Sequence, residues 1–275
     1  MPTYHHGRHE HGQNFLTDPQ TIHRIIDLVR DTEGPILEIG PGAGALTRPL
    51  LRLGRPTQAV EIDAHLVRKL NHELQGKATI TEGDFLKHRI PEHPHVIVGN
   101  LPFHQTTAIL RHLLHAPGWT DAVLLVQWEV ARRRAGVGGA SMMTAQWSPW
   151  FDFTLHGRVP ARAFTPTPGV DGGLIAIRRD ANPAIPARER RRFQSLVHQI
   201  YTGPGRGLAQ ILARNTDLGT PTSATAWLRE RGLTGSDLPK SLSAEAWIDL
   251  YRTTGTSPPP QRDRRSGKNR RHGRR

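Results

Sequence analysis

The sequence predicts an α/β fold: a mostly parallel sheet flanked by helices, followed by a small helical domain. Three observations carry this. From Pro35 to about Arg178, short apolar, β-branched runs alternate with stretches of helical period. Three glycines stand directly after the first of those runs, where a strand gives way to a helix. Beyond Arg179 the alternation stops and helical spacing alone remains.

Taken in order, Asp18 followed by Pro19 reads as an N-cap with proline at the first helical position. Ile22, Ile25, Ile26 and Val29 then recur on one face, so an amphipathic helix precedes the sheet. Strands are predicted over 36–39, 57–62, 78–81, 96–99 and 122–126. Runs at 151–155 and 173–177 form a hairpin-like pair that makes the sheet mixed, giving seven strands. Pro49 obliges the helix after the glycines to start late or bend. The segment Asp180-Ala-Asn-Pro-Ala-Ile-Pro186 reads as a linker, and Phe193, Leu196, Val197 and Ile200 mark a helix that ends at Gly203-Pro-Gly205. Further helical pieces fall at 207–213, 224–231 and 243–251. The expected division is a flexible His-rich arm over 1–11, an α/β domain over 12–180, a helical domain over 181–255 and a disordered Arg-rich tail over 256–275.

A chain of 275 residues with 36% hydrophobic content can bury a core without staples. The absence of cysteine excludes disulfides, thiolate metal sites and cysteine nucleophiles, and makes the cytoplasm the expected compartment. No apolar signal core opens the chain and no run is long enough to span a bilayer, so no membrane is expected as a partner. The net charge of +13 favours a polyanion, nucleic acid before an anionic membrane. Residues 262–275 hold eight Lys or Arg and one Asp. Alone, that tail reads equally as a solvated appendage. Basic clusters inside the folded part, Arg132, Arg133 and Arg134, then Arg188, Arg190, Arg191 and Arg192, favour nucleic-acid contact. His5, His6, His9 and His11 lack a companion carboxylate cluster and read as a polar arm, not a metal site.

Chemistry is written at four consecutive strand ends. Ile36-Leu-Glu-Ile-Gly-Pro-Gly-Ala-Gly44 runs a buried strand into glycines at 40, 42 and 44, which let backbone approach a ligand. Tight strand–helix packing is the alternative, and the Gly-x-Gly-x-Gly spacing departs from the dinucleotide fingerprint. Val60-Glu-Ile-Asp63 offers Glu61 to the hydroxyls of a ribose, beside Ile62, while Asp63 fits a helix cap better. Glu82-Gly-Asp-Phe85 offers Asp84 to an adenine amino group and Phe85 to a ring, or is a plain Gly-Asp turn. Asn100-Leu-Pro-Phe103 is the most informative. The lone pair of an exocyclic adenine amine is delocalised into the ring, so the nitrogen is a poor nucleophile until acceptors hold its hydrogens. The Asn100 side-chain oxygen and the Leu101 carbonyl can do so; Pro102 shapes the turn and Phe103 offers a stacking face.

At these residues the chain resembles class I, Rossmann-like methyltransferases of the ribosomal RNA adenine dimethyltransferase superfamily, and most of all the Erm macrolide-resistance enzymes. The resemblance also takes in Gly12-Gln-Asn-Phe-Leu16 and Phe164-Thr-Pro-Thr-Pro-Gly-Val-Asp-Gly-Gly173. It implies S-adenosylmethionine as cofactor, touched by Asn14, Leu16, Gly40, Glu61, Asp84 and Asn100, with Gly42, Ile62 and Phe85 completing the expected cofactor contacts. It implies mono- or dimethylation of one adenine N6 in the peptidyl transferase region of 23S rRNA, and resistance to macrolides, lincosamides and streptogramin B. Phe164 is implied near the target base, with a core aromatic as the equal alternative. The small-subunit (16S) dimethyltransferases share the Gln-Asn-Phe-Leu and Asn-Leu-Pro elements; the segment Gln127-Trp-Glu-Val-Ala-Arg-Arg-Arg-Ala-Gly-Val-Gly-Gly139 and the Arg-rich tail favour the Erm type. A nicotinamide oxidoreductase would explain the glycines and Glu61 but leave residues 100–103 without a role. A non-enzymatic RNA-binding factor would not need every matched position intact. No protein partner is implied, and a monomer is expected.

Overall fold

The computed structural model describes residues 14–254; the expected His-rich arm and the Arg-rich tail lie outside them. A two-residue strand, β1 (Phe15–Leu16), precedes helix α1 (Pro19–Arg30). Strand and helix then alternate as β2 (Ile36–Ile39), α2 (Thr47–Leu51), β3 (Thr57–Glu61), α3 (Ala64–Leu74), β4 (Thr79–Glu82), β5 (His95–Asn100), α4 (Thr106–His115) and β6 (Trp119–Gln127). Helices α5 (Trp128–Arg134) and α6 (Met142–Trp147) lead to β7 (Phe151–Val159), β8 (Phe164–Thr165) and β9 (Gly172–Arg179). Helices α7 (Arg190–Thr202), α8 (Leu208–Asn215), α9 (Pro221–Arg229) and α10 (Ala244–Thr254) follow.

Local chemistry sets the helix starts. The Asp18 carboxylate accepts from the Thr21 amide at 2.8 Å, and Pro19, which has no amide hydrogen to leave unpaired, begins α1. Asp63 caps α3 through the amides of His65 and Leu66, at 2.8 and 3.2 Å. After the glycines the chain first makes turns, and α2 begins only at Thr47, so Pro49 falls within its first turn, where a missing amide costs nothing.

The main sheet has the order β4-β3-β2-β5-β6-β9-β7. The first five strands are mutually parallel, and β9 is antiparallel to both β6 and β7. All seven predicted runs are strands of this sheet. The expected closing pair is present, but β9 lies inside, between β6 and β7. A second, two-stranded sheet pairs β1 with β8, joining Phe15 to Thr165 and Leu16 to Phe164. Its strands are too short to carry a period, and neither was anticipated.

Helices cover both faces of the parallel strands, which is why β2 and β5 read as almost unbroken apolar runs. One face continues without interruption into the C-terminal helices: Trp119, Trp147, Trp150, Phe151, Phe193 and Trp247 belong to a single buried cluster. Ile185, inside the segment read as a linker, is buried in that cluster too. No helix among the described residues is long and apolar enough to cross a membrane.

Candidate active site

The parallel strands β2 to β6 end on one edge, as strands of a parallel sheet must, and the loops leaving that edge enclose a cavity of about 320 Å³. That suffices for a small-molecule ligand. Asn14, Leu16, Gly40, Gly42, Glu61, Ile62, Asp84, Phe85 and the turn 100–103 all line it, so one cavity gathers residues from five separate segments of sequence.

The glycine loop has positive φ at Gly40 (63°), Gly42 (53°) and Gly44 (82°), a conformation side chains resist. At Gly42 space is also short, since a Cβ there would stand 2.9 Å from the Phe15 ring. Glu61 pins the loop: one carboxylate oxygen accepts from the Gly42 amide at 2.9 Å, the other from the Asp63 amide at 3.0 Å. A carboxylate oxygen can accept more than one hydrogen bond, which suits this group to ligand hydroxyls as well as to the loop. Ile62, just past the end of β3, is 44% exposed although large and apolar, and forms an open wall of the cavity.

Asp84 serves the turn and borders the cavity, capping a short 3-10 turn through the Leu86 amide at 2.9 Å. Phe85 is a buried core aromatic with only its margin on the cavity; its ring meets the rings of His112 and His88 at 5.6 and 6.2 Å.

Sequence reasoning passed over Glu38, the acid inside the strand that precedes the glycines. It is buried, lines the cavity, and one of its oxygens has no hydrogen-bond partner. Burial pushes its carboxyl up to about 7, and the neighbouring Glu61 charge adds to the shift. A carboxyl with a raised folded-state pKa stabilises the fold while protonated, and that contribution is lost as pH rises from its ordinary 4.5 through about 7. Urea unfolding of the protein is therefore expected to lose about 2 kcal/mol between pH 5 and pH 8 relative to the variant Glu38→Gln. Parallel pH profiles for the two proteins would contradict this.

At the end of β5 the Asn100 amide nitrogen donates to the Asn14 main-chain oxygen at 2.7 Å. A carbonyl can only accept, so this bond decides which way the side chain is turned and leaves the Asn100 side-chain oxygen as the end free to receive hydrogens. The Leu101 amide is bound to the Leu125 oxygen at 2.9 Å, which ties the turn to β6. Phe103 is half-buried and meets Phe164 edge to face, with centroids 5.9 Å apart. Phe164 itself is 1% exposed and does not line the cavity; it stands behind Phe103 as a core aromatic.

The seven clustered arginines divide. Arg133 and Arg191 are exposed; Arg132 meets Glu129 at 3.3 Å, and Arg190 lies 5.2 Å from the centre of the Trp147 ring. Arg134 is tied into the fold, half-buried and bonded to the Ser141 hydroxyl at 2.7 Å. Burial pulls its pKa down, with Arg111 and Arg133 adding to the effect.

Comparison with known proteins agrees with this geometry. A family model described as "Ribosomal RNA adenine dimethylase" matches residues 4–254. An rRNA adenine N-6-methyltransferase of Corynebacterium diphtheriae is 61% identical over 215 residues, which is 78% of this chain and 85% of that protein. The mycinamicin-resistance protein MyrB of Micromonospora griseorubida is 45% identical over 258 residues, 92% of this chain and 82% of its own length. The crystal structure of the 23S rRNA methyltransferase ErmE superposes with a TM-score of 0.79 at 32% identity, covering 87% of this chain and 98% of that one. With glycine loop, buried Glu61 and the turn 100–103 converging on one cavity, the chain belongs to the ribosomal RNA adenine dimethylase family, as an Erm-type methyltransferase of the class I fold.

Proposed function

We propose that the enzyme uses S-adenosylmethionine to methylate, once or twice, the N6 of a specific adenine in the peptidyl transferase region of 23S rRNA, and so confers resistance to macrolides, lincosamides and streptogramin B. It acts as a cytoplasmic monomer. The observation that carries the reading is the Asn100 amide, turned by Asn14 so that an acceptor oxygen stands at the rim of the glycine-loop cavity beside Phe103.

The cavity suits that cofactor. Glu38 offers an unpartnered buried oxygen to the cationic methionine end, Glu61 offers lone pairs to ribose hydroxyls, and Asp84 with Ile62 offers an acceptor and an apolar wall to the adenine ring. Gly40 and Gly42 let the loop backbone come close. The bound cofactor supplies an electrophilic methyl on sulfur. The chain supplies alignment, which can be worth about 7–11 kcal/mol in favourable cases. The Asn100 side-chain oxygen and the Leu101 carbonyl accept the two amine hydrogens and bring the nitrogen lone pair out of conjugation, while Phe103, backed by Phe164, holds the extruded base. The nitrogen that has taken the methyl is a cationic aminium, strongly acidic, and releases its proton to water, so no side chain need act as base.

Incubation with radiolabelled cofactor and protein-free 23S and 16S rRNA, followed by mapping of the modified base, tests the reading. Label at one 23S adenine is expected; label confined to 16S would make the enzyme a small-subunit methyltransferase. RNA grip should extend beyond the described residues. Removal of residues 257–275 is expected to weaken RNA binding and flatten the log–log salt dependence by about 0.7 for each tail charge that meets a phosphate on a single strand. An unchanged slope would make the tail a bystander.

A further inference from the structure

Two adjacent glycines of β9 seat two aromatic rings. A Cβ on Gly172 would lie 3.0 Å from the tip of Phe164, the ring behind Phe103. A Cβ on Gly173 would lie 3.2 Å from Trp128 and 2.5 Å from the Ala131 methyl. Successive strand residues face opposite sides, so one dipeptide positions both the aromatic that backs the active site and the first residue of α5. Asp171 completes the seat. Its main-chain oxygen accepts from the Trp128 amide at 2.9 Å, and its carboxylate accepts from the Ala161 amide at 2.7 Å and from Arg158 Nε at 2.5 Å.

Trp128 is less enclosed than the core tryptophans Trp119 and Trp247, although the buried Trp150 and Trp247 also lack an indole partner. Trp119 is fully buried with its indole nitrogen donating to the Leu113 oxygen at 2.8 Å, whereas Trp128 is half-buried and its indole nitrogen has no such bond among the described residues. The guanidinium carbons of Arg158 and Arg132 stand 5.6 and 6.0 Å from the Trp128 ring centre, against 3.9 Å for Arg231 on Trp227. Both stand over the ring near the outer limit of cation–π distance, so a base that stacks there displaces guanidiniums held less closely than Arg231 is on Trp227. Asp171 engages Arg158 only through Nε, and the terminal nitrogens of this 62% exposed side chain make no bond to other described residues. The Arg132–Glu129 contact joins partly exposed groups at 3.3 Å, a kind of pair that contributes little and yields to a phosphate. Trp128 directly follows β6, the strand beside the one that ends at Asn100, so it stands on the same edge of the sheet as the methyl-transfer site.

We propose that Trp128 is a second stacking face, which receives an unpaired nucleotide adjacent to the extruded adenine while Arg158 and Arg132 take the phosphates beside it. This rests on the RNA-methyltransferase reading above. Extruding one base deprives its neighbour of a stacking partner, and an aromatic face flanked by guanidiniums offers both a replacement and countercharge.

The test measures methyl transfer to a transcript of the 23S peptidyl transferase region. Trp128→Ala is expected to raise KM for the transcript about 10–100-fold, with kcat, cofactor affinity and thermal midpoint little changed, and Trp128→Phe to recover most of the loss. Removing the base of one nucleotide flanking the target adenine should bring the unaltered enzyme down to the level of Trp128→Ala and cost that variant nothing further. An unchanged KM in Trp128→Ala, additive losses for every flanking position, or equal losses in both variants with a fallen midpoint would overturn the stacking role. Failure of the unaltered enzyme to methylate the transcript would instead overturn the functional reading beneath it.

Discussion

Asn100→Ala is expected to lower single-turnover methyl transfer by about 10²–10³-fold, the loss seen when a single oriented hydrogen-bonding group is removed from a reaction centre. Cofactor affinity should stay within about tenfold, because the glycine loop and Glu61 do not depend on Asn100: Glu61 holds the Gly42 amide whether or not the amide at position 100 is present. The asymmetry is the informative part. A side chain that merely packed against the cofactor would weaken binding and transfer together. Here the Asn14 oxygen already takes the amide nitrogen, so in the proposed reaction the remaining oxygen is the end left to meet the amine. Calorimetric cofactor binding paired with rapid-quench transfer separates the two quantities; near-normal transfer by the variant would remove Asn100 from the chemistry.

Phe103→Ala should cost about 5–150-fold in kcat/KM for RNA, corresponding to roughly 1–3 kcal/mol for one lost base–aromatic stack. Phe103→Tyr should stay close to the unaltered enzyme, because stacking requires a flat aromatic face and the phenolic oxygen does not remove it. The half-buried ring is braced edge to face against Phe164, so the face is set before RNA arrives. Steady-state kinetics with the three proteins on one transcript makes the comparison, and equal activity in all three would contradict stacking.

Much of this was written locally in the chain. The Asp18 and Asp63 caps, the late start of α2 ahead of Pro49 and the seven strands follow from rules that act within a few residues, and each is present. The turn 100–103 was readable for the same reason: its chemistry depends on which four residues stand together. Other features depended on partners far along the chain. The pairing of Phe15 with Thr165 has no local trace, because two residues carry no period. Arg134 belongs to a run of arginines that composition alone assigns to the surface, yet the chain folds it against Ser141. Phe164 had two open readings, and packing chose the covered one.

Composition, periodicity and motif spacing thus sufficed to establish the layered sheet, the glycine loop and the identity of the groups at each strand end, since these express preferences of short segments. Tertiary structure alone decided which end of the Asn100 amide is taken by the Asn14 oxygen, that Glu38 is buried with an unpartnered oxygen, and that one pair of glycines seats both Phe164 and Trp128. The orientation of a side chain and the free energy of a buried charge depend on atoms that approach only after the chain has folded.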